Sequence, residues 1–205
     1  EEEEARALEG AQAEADRLNG RLDALGRRRM ALEALAALAG DGERAGKALE
    51  AAEGDFTRAA DAYADAKRDY DQAEARFFHA QAGFLAARLV PGEPCPVCGG
   101  TAHPSPAPLP DAAPSEAALE ALKAARDREN VRCNAAGNTL EKRRAERDAL
   151  YAELGRRSEE LSLPFGEPAA LENAARDASR DARKEEETLR AARDEAQEKA
   201  ERLHL

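Results

Sequence analysis

The sequence reads LVPGEPCPVCGGTAHP over residues 89–104, and this stretch decides how the rest of the chain can fold. Residues 1–90 contain no proline, whereas prolines recur throughout residues 91–114. Proline lacks the backbone N–H of a helical hydrogen bond and its ring clashes with the preceding turn, so no helix can run through this segment. The sequence therefore predicts two helical arms, residues 1–90 and 115–205, on either side of a non-helical tip.

The two arms are nearly equal in length, at 90 and 91 residues. Equal arms on both sides of a turn are what an antiparallel pair of helices requires. At about 1.5 Å per residue, each unbroken arm would reach roughly 130 Å. We predict an all-α fold, a long antiparallel coiled-coil hairpin with a short non-helical tip over residues 91–114. Ser115 is the predicted N-cap of the second arm.

A heptad repeat leads up to the tip. The bulky position of each heptad is held by Leu49, Phe56, Tyr63, Tyr70, Phe77 and Phe84. The position three residues later is held by Ala52, Ala59, Ala66, Ala73, Ala80 and Ala87. A strict period of seven favours a supercoiled partner helix over a free amphipathic helix, so we interpret the aromatic stripe as core.

Both arms also contain residues that weaken a helix. Glycines occupy positions 40, 42, 46 and 54 of the first arm, and Pro164 and Pro168 break the second arm near residues 163–168. Counted from the tip, the two interruptions lie at nearly the same height. We predict a joint at which both helices are broken and the rod can bend.

The composition fits long helices better than a compact globular core. Aromatic residues make up 4% of the chain, charged residues 36%, and there is no tryptophan. No apolar run approaches a membrane span, so we expect a cytoplasmic protein with no membrane partner. Because the chain begins at Glu1 rather than Met, we also expect a fragment of a longer protein.

The charge and the motifs exclude several functions. A net charge of −11 argues against nucleic-acid binding by the chain as a whole, and we interpret the basic run at residues 27–29 as a solvated helix face. No G-x-x-x-x-G-K-[ST] motif occurs, so we expect ATPase machinery to lie outside this sequence and the chain itself not to be an enzyme.

Cys95 and Cys98 form a C-x-x-C motif, which places two thiols on one side of a tight turn where both can reach one Zn²⁺. A structural zinc site needs four ligands. His103 is a candidate third ligand, whereas Cys133 lies about 18 residues into the return helix and roughly 27 Å away. Two tips that meet head to head would supply four thiolates and complete the site.

The cysteines and histidines allow other interpretations. A redox C-x-x-C needs a preceding strand and a helix N-terminus, and the βαβ pattern is absent. A coiled-coil scaffold that dimerises through its arms, with a tip that binds no metal, is the alternative to a zinc site. Cys133 shares a heptad phase with leucines, so we predict a small buried side chain. We expect His79 and His204 to be solvated.

The stretch PGEPCPVCGGxxHP between two heptad arms resembles the zinc hook of the bacterial SbcC family, which are ATPases of DNA double-strand-break repair. The resemblance is close over the tip and loose over the arms. It implies that Cys95 and Cys98 bind half a zinc ion per chain and that the same pair of a second chain completes the site. The histidine at the position of His103 is not a metal ligand in that family, so we interpret His103 as a structural residue. Gly100 stands where a serine is common.

The same resemblance implies a role in assembly. The chain would form homodimers through zinc at the apex of the coiled coil. The parent protein would be the ATPase subunit of an ATP-dependent nuclease in the bacterial cytoplasm, associated with the nucleoid. It would bind the SbcD nuclease subunit and DNA through parts outside this sequence.

Overall fold

The computed structural model describes residues 2–108 and 113–204, and these fold into three helices. In chain order they are α1 (Glu2–Ala86), α2 (Glu116–Glu160) and α3 (Pro168–His204). No strand occurs among the described residues, which confirms the predicted all-α class.

Parts of two predictions fall outside the described residues. The expected tip includes residues 109–112, and His204 was expected to be solvated; neither these four residues nor the side chain of His204 is described. His79 is exposed, as predicted. None of the three helices, over the part of the chain that the structure describes, is long and apolar enough to cross a membrane.

Contacts divide the chain into two compact units. The first unit joins residues up to Leu49 with residues from Arg143 onward, and the second unit comprises Glu50–Lys142. Helix α1 contributes its first half to one unit and its second half to the other.

The core of the first unit forms where α1 meets the end of α2 and the start of α3. Its buried members are Leu35, Ala36, Ala39, Leu154, Leu171 and Ala175. Leucines provide the volume of this cluster and alanines let the helix backbones approach. Within this unit α1 and α3 run antiparallel, because Asn19 pairs with Arg193 whereas Glu33, farther along α1, pairs with Ser179.

A buried ion pair lies on the same α1–α3 contact. The Glu186 side chain is only 7% exposed, and its Oε1 accepts a hydrogen bond of 2.9 Å from Arg29 Nε. This bond, together with one from Arg29 to Glu33, raises the pKa of the Arg29 guanidinium above its usual value. A buried carboxylate without a cation is strongly unfavourable, so the pair favours this register of α3 on α1 over shifted ones.

The prediction that both arms are broken at one level is wrong. The second arm is interrupted where the prolines lie, since α2 ends at Glu160 and α3 begins at Pro168. Helix α1, however, continues unbroken from Glu2 to Ala86 through all four glycines. An internal glycine costs a helix only about 1 kcal/mol relative to alanine, which the packing in this region offsets.

Two of these glycines, Gly42 and Gly46, lie where other helices pack closely on α1. A Cβ built on Gly42 would lie 2.8 Å from Leu154 Cδ1 and 3.7 Å from Pro168. One on Gly46 would lie 3.5 Å from the Tyr151 hydroxyl oxygen. The end of α2 and the start of α3 therefore approach the α1 backbone at the level where the second arm is interrupted.

Two alanine substitutions distinguish a glycine with free space around it, Gly20, from a glycine against which another helix packs, Gly42. Gly20→Ala is expected to raise the free energy of unfolding by about 0.5–1 kcal/mol, because its Cβ would meet nothing within 4 Å and alanine favours the helix. Gly42→Ala is expected to lower it by about 1 kcal/mol, because overpacking against Leu154 outweighs the same gain. Urea denaturation followed by circular dichroism measures both. Equal stabilisation by the two substitutions would show that Gly42 has no packing role.

In the second unit the aromatic stripe faces inward over most of its length. Ala52, Ala73 and Ala80 are buried, and the aromatic positions from Phe56 to Phe77 are half-buried. The last repeat is more open, since Phe84 is 36% exposed.

Helix α2 packs on this stripe with one cation over an aromatic ring. The Arg126 guanidinium lies 4.4 Å from the centre of the Tyr70 ring, so this charged side chain packs on the aromatic stripe. Phe56 lies against Gly137, where a Cβ would be 3.4 Å from the ring. Cys133 is half-buried rather than buried.

Candidate metal site at the CxxC turn

The site lies in the turn that follows α1. The helix ends at Ala86 rather than at residue 90, and a further turn closes where the Glu93 N–H donates to the Val90 carbonyl at 3.1 Å. Gly92 occupies the left-handed region there, at φ +83°. This conformation strains residues with a side chain, so a glycine is needed to redirect the chain after the helix.

Two backbone hydrogen bonds close the loop that carries the cysteines. The Cys95 N–H donates to the Gly100 carbonyl at 2.9 Å, and the Gly99 N–H donates to the Cys95 carbonyl at 2.8 Å. Gly99 has φ +73°, which again suits glycine. These backbone bonds close the loop and hold the two cysteines on one turn.

The backbone also favours the thiolate form of Cys95. The Val97 N–H donates to Cys95 Sγ at 3.4 Å. This hydrogen bond, followed by one from the backbone of Cys98, lowers the pKa of the Cys95 thiol, while partial burial opposes the shift. The thiolate is the form that binds metal ions, so the loop prepares Cys95 for that role.

Three donor atoms converge at the loop. The Sγ atoms of Cys95 and Cys98 and a ring nitrogen of His103 all lie within 4.8 Å of one another. His103 Nε2 is 3.4 Å from Cys98 Sγ. Two thiols and an imidazole at these separations can hold a metal ion.

The sequence predicts Cys95 and Cys98 as metal ligands and, through the resemblance, His103 as a structural residue. The structure brings all three residues together, and Cys133 is not in the group that it describes. The available signal was the position of His103, five residues after Cys98 and beyond two glycines. Spacing alone does not establish that the chain folds back far enough for the ring to reach the thiol.

One side of the site is open and apolar. Cys98 is exposed, Val97 is 68% exposed, and Cys95 and His103 are half-buried. A cavity of about 300 Å³ lies beside the donors, lined by Leu85 in the last turn of α1, by Leu89 just after the helix and by the loop itself. The thiols are thus accessible from solvent next to a small apolar surface.

The α2 helix begins soon after the loop. Its first residue is Glu116, and the Ser115 Oγ accepts a hydrogen bond from the Ala118 N–H at 3.2 Å, which is the predicted N-cap. The donor residues therefore lie between the end of α1 and the start of α2.

Comparison of the chain with protein-family models, with curated proteins and with solved structures found no match. The interpretation of the site therefore rests on the residues of this chain.

Proposed function

We propose that this chain is a metal-dependent dimerisation module in which Cys95 and Cys98 of two chains share one Zn²⁺. The observation that carries the proposal is an exposed turn with two thiols held side by side. A structural zinc site needs four ligands, and a second copy of the same turn brings two more thiolates of matching geometry.

The donor chemistry supports zinc among the common metals. Thiolates and imidazoles suit Zn²⁺, whereas Ca²⁺ and Mg²⁺ prefer oxygen ligands. The lowered pKa of Cys95 favours the thiolate form that ligates a metal ion. Zn²⁺ supplies charge neutralisation and fixed geometry when bound; the loop supplies the thiolates, their spacing and their access from solvent.

The helices support a hairpin with the metal site at its tip. In the second unit, Phe56 contacts α2 at Gly137 whereas Tyr70 contacts it at Arg126, so α1 and α2 run antiparallel there. The first unit has the same antiparallel order between α1 and α3. We propose that α1 forms one arm of a coiled-coil hairpin and that α2 with α3 forms the other.

The surface around the site supports a protein partner over a nucleic acid. The sequence contains no lysine or arginine between Arg88 and Lys123, so the tip offers no cation to a phosphate backbone. The exposed side chains of Leu85, Val90 and Val97 add apolar surface near the metal site. A second tip would cover this surface when it completes the site.

The resemblance to the SbcC zinc hook extends the proposal to a parent protein. Joining two tips would hold together two ATPase heads and the DNA ends that they bind. The heads, the contact with the SbcD nuclease subunit and the DNA-binding surface would all lie outside this sequence, in a bacterial protein associated with the nucleoid. The chain itself is proposed as a joint without enzyme activity.

The molar mass of the chain in solution tests the proposal. Light scattering with half an equivalent of Zn²⁺ is expected to give the mass of two 22.0 kDa chains, and a chelator is expected to return the mass of one. Cys133→Ser is the matched control and should behave like the wild type. A dimer that survives the chelator would instead favour a scaffold that dimerises through its arms.

A further inference from the structure

We infer that His103 is a metal ligand of the unpaired chain, which holds one Zn²⁺ with Cys95, Cys98 and His103, and that the thiols of a second chain displace this histidine. The first half of the inference concerns a single chain, and the second half rests on the proposed zinc-dependent pairing. Together they describe two states of one site: one metal per chain before pairing, and one metal per two chains after it.

The distance between donors fits direct ligation by His103. Zn–S bonds of about 2.3 Å and Zn–N bonds of about 2.0–2.1 Å at a tetrahedral angle place the sulfur and nitrogen about 3.5 Å apart. The separation of Cys98 Sγ and His103 Nε2 is 3.4 Å. The three donors also lie mutually within 4.8 Å, so a small movement of the side chains suffices to enclose an ion.

Gly100 lies beside both the thiol and the imidazole. A Cβ at this position would lie 3.4 Å from Cys98 Sγ and 3.9 Å from His103 Cε1. These are ordinary van der Waals distances, so the sulfur and the ring both lie against the same residue of the loop. The Cys95 N–H to Gly100 carbonyl bond fixes this part of the backbone beside the cysteines.

Three protein ligands leave a fourth zinc position open to water, as in zinc sites that exchange a ligand. A second chain brings two thiolates, and a tetrahedral ion cannot keep His103 as well as all four sulfurs. Loss of the histidine is the step that converts the single-chain site into a shared one. Since His103 is on the same chain as two of the thiols, it competes with the partner at every chain concentration.

This competition predicts an unusual response to zinc. Dimers should be most abundant near half an equivalent of Zn²⁺. Above one equivalent each chain can hold its own ion, so the dimer fraction should fall. Removing the His103 ligand weakens the single-chain site, and the dimers should then persist in excess zinc.

The experiment compares the full chain with His103→Gln and, as a control, with His79→Gln, which alters an exposed histidine of α1. Metal affinity is measured by competition with a chelating dye in dilute chain, and the dimer fraction is measured by light scattering across a zinc titration. His103→Gln is expected to weaken one-to-one binding on the order of 10²-fold and to keep dimers above one equivalent. His79→Gln should match the wild type in both measurements.

Cobalt substitution supplies an independent readout of the ligands. Thiolate-to-cobalt absorption per metal grows with the number of sulfur ligands, so it should be about twice as strong in the dimer as in the single chain. If His103→Gln leaves both the one-to-one affinity and the zinc response unchanged, the inference is wrong, and half-metal dimers in the same titration still support the proposed function. If no dimer forms at any zinc level while one-to-one binding depends on His103, the proposed zinc-dependent pairing is wrong. The displacement of His103 by a second chain is then wrong as well, and only the single-chain zinc site is supported.

Discussion

The Cys95→Ser chain is expected to remain monomeric at zinc concentrations that pair the wild-type chain. A structural zinc site with four ligands contributes about 10–16 kcal/mol, so each ligand accounts for roughly a quarter of that value. A symmetric dimer loses two thiolates by this substitution, which predicts an affinity for zinc lower by at least about 10³-fold. Isothermal titration of zinc into the chain, with light scattering of the same samples, measures both effects.

The control for this prediction is the third cysteine. Cys133 is half-buried on α2 and is not in the donor group that the structure describes, so Cys133→Ser should keep wild-type zinc affinity and wild-type mass. Equal losses in the two variants would indicate general damage to the fold. Zinc-dependent dimers of Cys95→Ser at wild-type affinity would contradict the assignment of this thiol.

Leu154→Ala is expected to be the most damaging substitution in the first unit. The Leu154 side chain is fully buried, in one cluster with Leu35 and Leu171. Removing three carbons from such a position costs about 2–5 kcal/mol, because the lost burial is combined with an unfilled cavity. The change in the free energy of unfolding is measured by urea denaturation of the full chain.

An exposed apolar residue on the same helix gives the comparison. Val131 is 68% exposed on α2, so Val131→Ala should change stability by less than about 0.5 kcal/mol. If Leu154→Ala were as mild as Val131→Ala, the contacts around Leu154 would not represent the core of this unit.

The prolines and the heptads predicted the helical class because both act locally. A proline excludes the helix at its own position, and Ser115 caps α2 through a hydrogen bond to Ala118, three residues away. The aromatic stripe predicted an inward face from its period alone. These signals depend on neighbours in sequence, so they can be interpreted without knowledge of the partner helix.

The features that the sequence did not predict depend on which residues meet across helices. Gly42 looked like a weak point of α1, but its role depends on the approach of Leu154, more than 100 residues away. Glu186 is buried although it is charged, and Arg29 of α1 forms an ion pair with it. Pairings of this kind are set by the register of two helices, which a single amphipathic pattern does not specify.

At the site, the cysteine pair was evident from its spacing, whereas the place of His103 depended on the fold of the loop. Gly99 at φ +73° and the Cys95–Gly100 hydrogen bond reverse the chain so that the ring returns to Cys98. A two-residue spacing within C-x-x-C constrains two thiols to one turn. Five residues that include two glycines allow many positions for the histidine.

The metal content and ligand set of the isolated dimer test the central claim most directly. Chain loaded with half an equivalent of zinc is separated by size, and the dimer is analysed for zinc per chain and by X-ray absorption for the atoms around the metal. A shared site predicts one zinc for every two chains with four sulfur ligands at about 2.3 Å. A dimer that contains no zinc, or one zinc per chain with nitrogen still bound, would contradict zinc sharing between the two CxxC turns.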